Sequence, residues 1–136
     1  MQDCVFCRIV AGEIPAEKIW EDEKYLAFLD VQPLCDGQTL VVAKMHQPSY
    51  VFGLTDDEMV EIYLASKKVA RLLDGKLGVE RCAQAMEGLG VNHAHIKLYP
   101  LTAEFKEGGI VRMGQRADDE KLKQIANKIR EGGMKQ

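Results

Sequence analysis

Hydrophobic and polar side chains alternate from Val91 to Tyr99, as they do along an amphipathic β-strand. Successive strand side chains point to opposite faces, so the alternation divides this segment into two faces. One face carries His93, His95, Lys97 and Tyr99, and the other carries Ala94, Ile96 and Leu98. Two of the chain's three histidines are therefore predicted to lie side by side on one strand. Their spacing alone also fits two polar residues on a solvated face.

Four other segments, rich in apolar or β-branched residues, are predicted strands. They are residues 18–21, 25–29, 39–43 and 82–86. The polar turn 22–24 joins the first two, and the apolar, β-branched run 39–43 is typical of a central strand. Together with the histidine strand, these segments predict a mostly antiparallel sheet.

One long helix is predicted from its start signal and its period. Thr55 and Glu58 form the capping-box pattern that begins a helix. Small or apolar side chains then recur with a period of 3.6 residues, at Met59, Ile62, Tyr63, Ser66, Val69, Ala70 and Leu73. This period indicates one face packed on the sheet. Gly75 is predicted to end the helix.

Two shorter helices are predicted towards the two ends of the chain. Asp3 caps the first, which runs to about Ala11 and stops at Gly12. Asp118 caps the second, whose apolar face consists of Leu122, Ile125, Ala126 and Ile129. The predicted fold class is therefore α+β: a mostly antiparallel sheet with one long helix, a short N-terminal helix and a C-terminal helix. Residues 1–136 are predicted to form a single domain.

Length, charge and composition limit the classes of function. The 136 residues suit one domain with one core. A net charge of -3 gives no electrostatic case for nucleic-acid binding. No apolar run approaches the roughly 18 residues of a membrane span, and the N-terminus lacks the basic and apolar pattern of a secretion signal. We therefore expect a cytoplasmic protein without nucleic-acid or membrane partners, in which thiols stay reduced.

The four cysteines are interpreted in the light of that reducing compartment. Cys4 and Cys7 form a C-x-x-C pair, which is there more often a metal half-site or a redox pair than a structural disulfide. A redox pair is expected after a strand, and no strand precedes this one. A metal half-site needs two further ligands, for which His46 and His93 are available. The remaining two are interpreted as small apolar fillers, Cys35 and Cys82.

Four blocks of sequence, in this order, together resemble the histidine triad (HIT) family. They are residues 4–15, 26–33, 37–46 and 93–100, which read CVFCRIVAGEIP, LAFLDVQP, GQTLVVAKMH and HAHIKLYP. The resemblance implies a HIT-like fold and, in most branches of the family, a homodimer. It also implies a nucleotidyl hydrolase or transferase acting on nucleoside phosphoramidates, phosphate esters or dinucleoside polyphosphates, with a purine nucleotide or nucleoside phosphate as substrate.

The resemblance also implies roles for particular residues. His95 stands where the family's nucleophile attacks the α-phosphorus and forms a covalent nucleotidyl-histidine. In the family, a main-chain carbonyl on the same strand holds the other nitrogen of that imidazole. Bacterial members with the C-x-x-C pair bind zinc through a set that here consists of Cys4, Cys7, His46 and His93. Such a set is closed and tetrahedral, so the zinc is expected to be structural.

A nucleotide pocket follows from the same resemblance. Asp30 is expected to accept hydrogen bonds from both ribose hydroxyls, which favours ribonucleosides over 2′-deoxyribonucleosides. The expected base pocket consists of Phe6, Ile9, Phe28, Leu29 and Val31. The glycines Gly88 and Gly90 are candidates for presenting main-chain N–H groups to phosphate, although a tight turn explains them equally well.

Two positions depart from the family pattern. Lys97 replaces the third histidine of the triad, and Gln38 replaces the histidine of the block that begins at Gly37. A lysine ammonium can pair with phosphate as a point charge, but it is a poor proton donor at neutral pH. The hexose-phosphate uridylyltransferase branch carries Gln at the third position, so the change is compatible with activity. We hypothesise that Gln38 and Lys97 pair, with the amide oxygen accepting from the ammonium.

Three functional hypotheses follow from these residues. The first is an enzyme in which His95 and Lys97 act on the nucleotide. The second is a zinc-stabilised nucleotide-binding protein with little or no turnover, which both substitutions favour because they remove imidazoles beside His95. The third is a C-x-x-C oxidoreductase, which the position of Cys4 and Cys7 disfavours. Covalent labelling of His95 by an activated nucleotide separates the first from the second.

Overall fold

A five-stranded antiparallel sheet forms the centre of the fold. The structure, a computed structural model, describes residues 3–102, 105 and 109–131. The strands are β1 (Lys18–Glu21), β2 (Tyr25–Leu29), β3 (Thr39–Ala43), β4 (Cys82–Ala85) and β5 (His95–Pro100). Their order across the sheet is β1-β2-β3-β5-β4, so β5 lies between β3 and β4. The predicted α+β class is confirmed.

Strand bounds agree with the sequence prediction for β1, β2 and β3 and differ slightly for the other two. β4 ends at Ala85, one residue earlier than predicted. β5 begins only at His95, although the alternation starts at Val91. The main-chain N–H of His93 donates to the Val91 carbonyl at 2.9 Å instead of to a neighbouring strand. Alternation therefore extends beyond the paired part of this segment.

Strand β3 is the most buried element of the sheet, as its apolar sequence predicts. Every residue from Thr39 to Ala43 is buried, because β2 and β5 flank the strand and both faces are covered. In its register with β5, Val42 lies opposite His95 and Leu40 opposite Lys97. Residues opposite each other share a face. The two polar side chains of β5 therefore lie on the Leu40 and Val42 face of the sheet.

The long helix α2 (Asp56–Leu77) covers the other face of the sheet. Its buried residues Ile62, Val69 and Leu73 pack in one cluster with apolar side chains of the sheet, among them Val41, Ala94, Ile96 and Leu98. The predicted capping box is present: the Thr55 hydroxyl accepts from the Glu58 N–H, and the Glu58 carboxylate accepts from the Thr55 N–H. This part of the prediction is confirmed.

The end of α2 corrects the prediction that Gly75 stops it. The helix continues to Leu77, and Gly78 ends it with a φ of 67°. A glycine inside a helix costs only about 1 kcal/mol relative to alanine. The last turn has a tertiary contact, because Leu77 packs over Gly37 so closely that a Cβ there would lie 2.5 Å from Leu77 Cδ1. Packing against the loop before β3 thus accompanies the extension of the helix.

The short helix α1 (Val5–Val10) lies on the face that carries His95. Phe6 and Ile9 pack against the apolar side chains of β2 and β3 on that face, Leu26, Phe28, Leu40 and Val42. The helix cap corrects the prediction of Asp3. Cys4 is the N-cap, and its Sγ accepts from the Cys7 N–H at 3.3 Å. Cys4 and Cys7 are therefore brought together by the first turn of α1.

The C-terminal helix α3 (Asp119–Glu131) is confirmed as an element, with Asp118 Oδ1 accepting from the Lys121 N–H at 2.7 Å. None of its residues is buried within the described chain, and Ile129 is 70% exposed. Its apolar face therefore does not contribute to the core. Among the described residues, no helix combines the length and the apolar composition that crossing a membrane requires.

Candidate functional site

A cavity of about 710 Å³ opens on the α1 face of the sheet. Its walls come from α1, the end of β2, the loop that follows β2, the segment 85–91 and β5. All eleven candidate residues for catalysis and nucleotide binding line it: Phe6, Ile9, Phe28, Leu29, Asp30, Val31, Gln38, Gly88, Gly90, His95 and Lys97. Further residues for which the sequence predicted no role in the site also line the cavity, among them Val5, Leu34, Leu40, Leu89 and Tyr99.

His95 is held in one orientation at the wall of this cavity. The residue is 5% exposed, and its Nδ1 lies 2.6 Å from the main-chain carbonyl oxygen of His93. Because a carbonyl oxygen only accepts, Nδ1 carries the proton and donates it. Nε2 is then the nitrogen with a free lone pair. The Phe6 ring packs edge-on against the imidazole, with centroids 5.1 Å apart, and restricts its tilt.

The electrostatic surroundings of His95 favour the neutral imidazole. Burial lowers its pKa below the ordinary value near 6.5, since a charged ring is poorly solvated there. The positive charge of Lys97 acts in the same direction, while the hydrogen bond to the His93 carbonyl and the negative charge of Asp30 oppose it. A neutral imidazole with one free nitrogen is a competent nucleophile.

Lys97 lies two residues further along β5, on the same face. Its side chain is partly buried and lines the cavity. Within the described part of the chain, its ammonium has neither a hydrogen bond nor an ion pair. A cation without a protein partner is available to an anionic ligand in the cavity.

Gln38 does not form the hypothesised pair with Lys97. Its Nε2 donates to Asp30 Oδ2 at 2.7 Å, and its Oε1 accepts from the Leu34 N–H at 2.6 Å. Asp30 Oδ1 accepts from the Gln32 N–H at 2.9 Å. The hypothesis is wrong because the main chain of the loop after β2 supplies a closer donor for the amide oxygen. That loop could not be placed from sequence.

The segment between β4 and β5 is fastened to the loop after β3. The Ser49 hydroxyl donates to the Gly88 carbonyl at 2.7 Å, and the Ser49 N–H donates to Asn92 Oδ1 at 3.0 Å. Gly88 has a φ of 72°, and a Cβ there would lie 2.8 Å from the Ser49 carbonyl oxygen. Gly88 thus forms a close turn, and both Gly88 and Gly90 line the cavity. Ser49 and Asn92 support this segment without a signal in the sequence that marks them.

Cys4, Cys7, His46 and His93 form one cluster beside the cavity. Their ligand atoms all lie within 4.8 Å of one another. Cys4 Sγ is 3.2 Å from His93 Nδ1, and Cys7 Sγ is 3.3 Å from His46 Nδ1. A tetrahedral zinc with bonds of about 2.3 Å to sulfur and 2.05 Å to nitrogen separates such atoms by about 3.6 Å.

The tautomer of His93 suits metal binding. Its Nε2 lies 2.6 Å from the Ala43 carbonyl oxygen and donates to it. Nδ1 therefore presents a lone pair to the two thiols, and burial lowers the pKa of His93, which keeps the ring neutral. The second nitrogen of a metal-ligating histidine commonly has such an acceptor. The donor set fits a structural zinc, as the resemblance implied.

The remaining cysteines lie apart from this cluster. Cys82 packs against the core beneath α2, and Cys35 is buried. Burial and a hydrogen bond to Asp74 raise the pKa of Cys82 to about 12. Its thiol is therefore not nucleophilic at neutral pH. Among the described residues, the Cys4 cluster is the only group of His, Cys, Asp and Glu side chains with metal-ligand spacing.

Comparison with family models matches residues 11–104 to the HIT domain. An uncharacterized HIT-like protein of Methanocaldococcus jannaschii is 37% identical over 130 residues, covering 90% of this chain and 98% of that protein. An adenosine 5'-monophosphoramidase of Candida albicans is 29% identical over 140 residues, covering 94% of this chain and 90% of that protein.

Two solved structures show the same fold over nearly the whole chain. A Streptococcus mutans protein has a TM-score of 0.79 at 34% identity, covering 96% of this chain and 85% of that one. A zinc-bound histidine triad family protein of Mycobacterium smegmatis has a TM-score of 0.71 at 26% identity, covering 97% of this chain and 99% of that one.

Proposed function

The chain belongs to the HIT domain family, and on that premise we propose that it is a nucleotidyl hydrolase or transferase. Its proposed substrates are purine nucleoside phosphoramidates, phosphate esters or dinucleoside polyphosphates. A relative similar over nearly the whole chain is an adenosine 5'-monophosphoramidase, which supports an adenylyl substrate. The homodimer and the cytoplasmic location expected from sequence stay predictions.

One observation carries this proposal: the hydrogen bond from His95 Nδ1 to the His93 carbonyl. That bond fixes the tautomer, so that Nε2 carries a free lone pair. The ring that contains Nε2 lines the cavity. In the proposed reaction, Nε2 attacks the α-phosphorus, the bond from phosphorus to the leaving group breaks, and the leaving group departs with the electron pair. An amine leaving group takes up one proton from solvent as it departs. The imidazole need not lose a proton before it attacks.

Water or another acceptor then completes the proposed reaction. The acceptor oxygen attacks the same phosphorus, the phosphorus–Nε2 bond breaks, and the imidazole recovers its lone pair. One proton leaves the attacking water and one nucleoside monophosphate is released. Dividing the transfer into two displacements replaces one difficult step with two easier ones.

The cavity is suited to the nucleoside part of such a substrate. Its apolar wall includes Phe6 and Phe28, whose rings pack edge to face with centroids 5.8 Å apart. We propose that the base lies against this wall and that Asp30 accepts from the two ribose hydroxyls. A carboxylate offers about four lone-pair positions, which suffice for a cis-diol.

Lys97 is proposed to hold the phosphate rather than to donate a proton. We expect Lys97→Ala to weaken AMP binding at least about tenfold, because it removes a charged hydrogen-bond donor. Adenosine, which has no phosphate, should bind within about twofold of wild type. Calorimetry with both ligands checks this. The matched control is Lys68→Ala, which removes an exposed lysine of α2 on the opposite face of the sheet.

The experiment that tests the function is detection of the covalent intermediate. Wild-type protein is mixed with adenosine 5'-phosphoramidate or a dinucleoside polyphosphate, denatured at neutral pH and weighed intact. The expected result is an adenylyl adduct that peptide mapping assigns to His95. AMP serves as the control ligand, since it carries no such leaving group. Binding of AMP without an adduct from any activated nucleotide would instead support a zinc-stabilised nucleotide-binding protein.

A further inference from the structure

We infer that Gln38 is a positioning residue for Asp30 and thereby sets the preference for ribose. The inference rests on the proposed function, in which Asp30 accepts from the ribose hydroxyls. It concerns the nucleoside end of the cavity, whereas the sequence had suggested a pair between Gln38 and Lys97.

The amide of Gln38 connects two parts of the cavity wall. Gln38 is 3% exposed, and the two polar atoms of its side chain contact Asp30 Oδ2 and the Leu34 N–H. The orientation of the amide is determined by these partners, because a main-chain N–H only donates and a carboxylate only accepts. If the amide were rotated by 180°, Nε2 would face the Leu34 N–H, donor against donor, and Oε1 would face Asp30 Oδ2, acceptor against acceptor. Gln38 therefore joins the loop after β2 to the carboxylate in a single arrangement.

The Asp30 carboxylate is oriented from both sides. Gln38 Nε2 binds Oδ2, and the Gln32 N–H binds Oδ1. The Asp30 main-chain N–H also donates to the Gln38 carbonyl at 2.9 Å. Two of about four lone-pair positions are thus used within the protein, and two remain for a diol. A carboxylate already held in place loses less side-chain entropy when the ligand binds.

The neutrality of Gln38 matters for the charge of Asp30. The titratable groups that face the same cavity are Glu87, from the segment after β4, and His95, Lys97 and Tyr99 of β5. Gln38 donates to the carboxylate without adding a charge among these groups. A second carboxylate at this position would repel Asp30 and raise the pKa of the pair, because two like charges in contact disfavour ionisation of both.

The experiment compares adenosine with 2′-deoxyadenosine by calorimetry, so that no phosphate takes part. We expect wild-type protein to prefer adenosine at least about tenfold, and Asp30→Asn to bind both nearly equally. Gln38→Met should reduce the preference at least about threefold, because it keeps the side-chain length and removes both hydrogen bonds. Gln124→Met, the same substitution at an exposed site on α3, should leave the preference unchanged.

Gln38→Glu supplies a readout that a purely structural role would not move. At pH 8 the two carboxylates repel and the preference for adenosine should be lost. At pH 5.5 a proton shared by the pair restores a donor to Asp30, so the preference should return. Wild type and Gln38→Met should show no such recovery. This comparison within one folded protein keeps the test valid if Gln38→Met does not fold.

The outcomes separate the two proposals. If Asp30→Asn abolishes the preference while both Gln38 variants retain it at pH 8, the positioning role is overturned and the proposed function stands. If Asp30→Asn retains the preference, Asp30 does not bind ribose and the inference about Gln38 is overturned with it. If Gln38→Glu loses the preference for adenosine at pH 8 and recovers it at pH 5.5, the positioning role is supported.

Discussion

Replacing His95 by alanine is expected to abolish turnover of adenosine 5'-phosphoramidate while AMP still binds within about threefold of wild type. The substitution removes Nε2, the proposed nucleophile, so the rate should fall at least about 10⁴-fold. Binding should persist because the apolar wall, Asp30 and Lys97 remain in place. Turnover is measured by release of ammonia and affinity by calorimetry.

A glycine at the same position provides a sharper test of the chemistry. His95→Gly should also be inactive, and added imidazole should restore part of the turnover by occupying the vacated space as a free nucleophile. Imidazole should not restore the turnover of Lys97→Ala, because that variant keeps His95. The nucleophile assignment fails if His95→Ala keeps more than about a tenth of wild-type turnover.

Loss of the metal site is the second change with a large expected effect. We expect one zinc per chain after purification without chelator, and essentially none in Cys4→Ala. The melting temperature of Cys4→Ala should fall by at least about 10 °C, because structural zinc contributes several kcal/mol and each kcal/mol shifts a domain of this size by about 4 °C. Elemental analysis and calorimetric melting check both expectations.

The control for this prediction is another cysteine of the same chain. Cys82→Ala removes a thiol that lies beneath α2, away from the metal cluster. It should keep one zinc per chain, whatever its effect on stability. If wild-type protein contains no zinc after growth in zinc-supplemented medium, the assignment of the zinc ligands is wrong. Those ligands are Cys4, Cys7, His46 and His93.

Local signals were sufficient to predict most of the fold. Alternation and apolar runs located the strands, and the capping box of Thr55 located the start of α2. The end of α2 differs from the prediction because a helix tolerates a glycine in its interior, and Gly78, three residues after Gly75, ends it with a φ of 67°. The cap of α1 differs from the prediction because Asp is a favoured N-cap residue and Cys is not, yet Cys4 Sγ accepts the hydrogen bond.

The sequence was sufficient to predict which residues form the candidate site, but not which of them form hydrogen bonds with each other. The family blocks placed Asp30, Gln38 and His95 at one cavity, and the structure brings them together there. The partner of Gln38 depended on where the loop after β2 places the Leu34 N–H. Ser49, which fastens Gly88, carries no sequence signal because serine is common in loops. Side-chain partners across loops require coordinates.

His93 has two roles, and different parts of the residue perform them. Its ring belongs to the metal cluster, and its main-chain carbonyl accepts a hydrogen bond from His95 Nδ1. Every amino acid has that carbonyl, so no single substitution at position 93 can delete the acceptor itself. The tautomer of His95 is thus robust to mutation in a way that the metal site is not. Descendants of this chain could exchange or lose the metal ligands and keep the nucleotide chemistry, as long as the backbone at position 93 keeps its place.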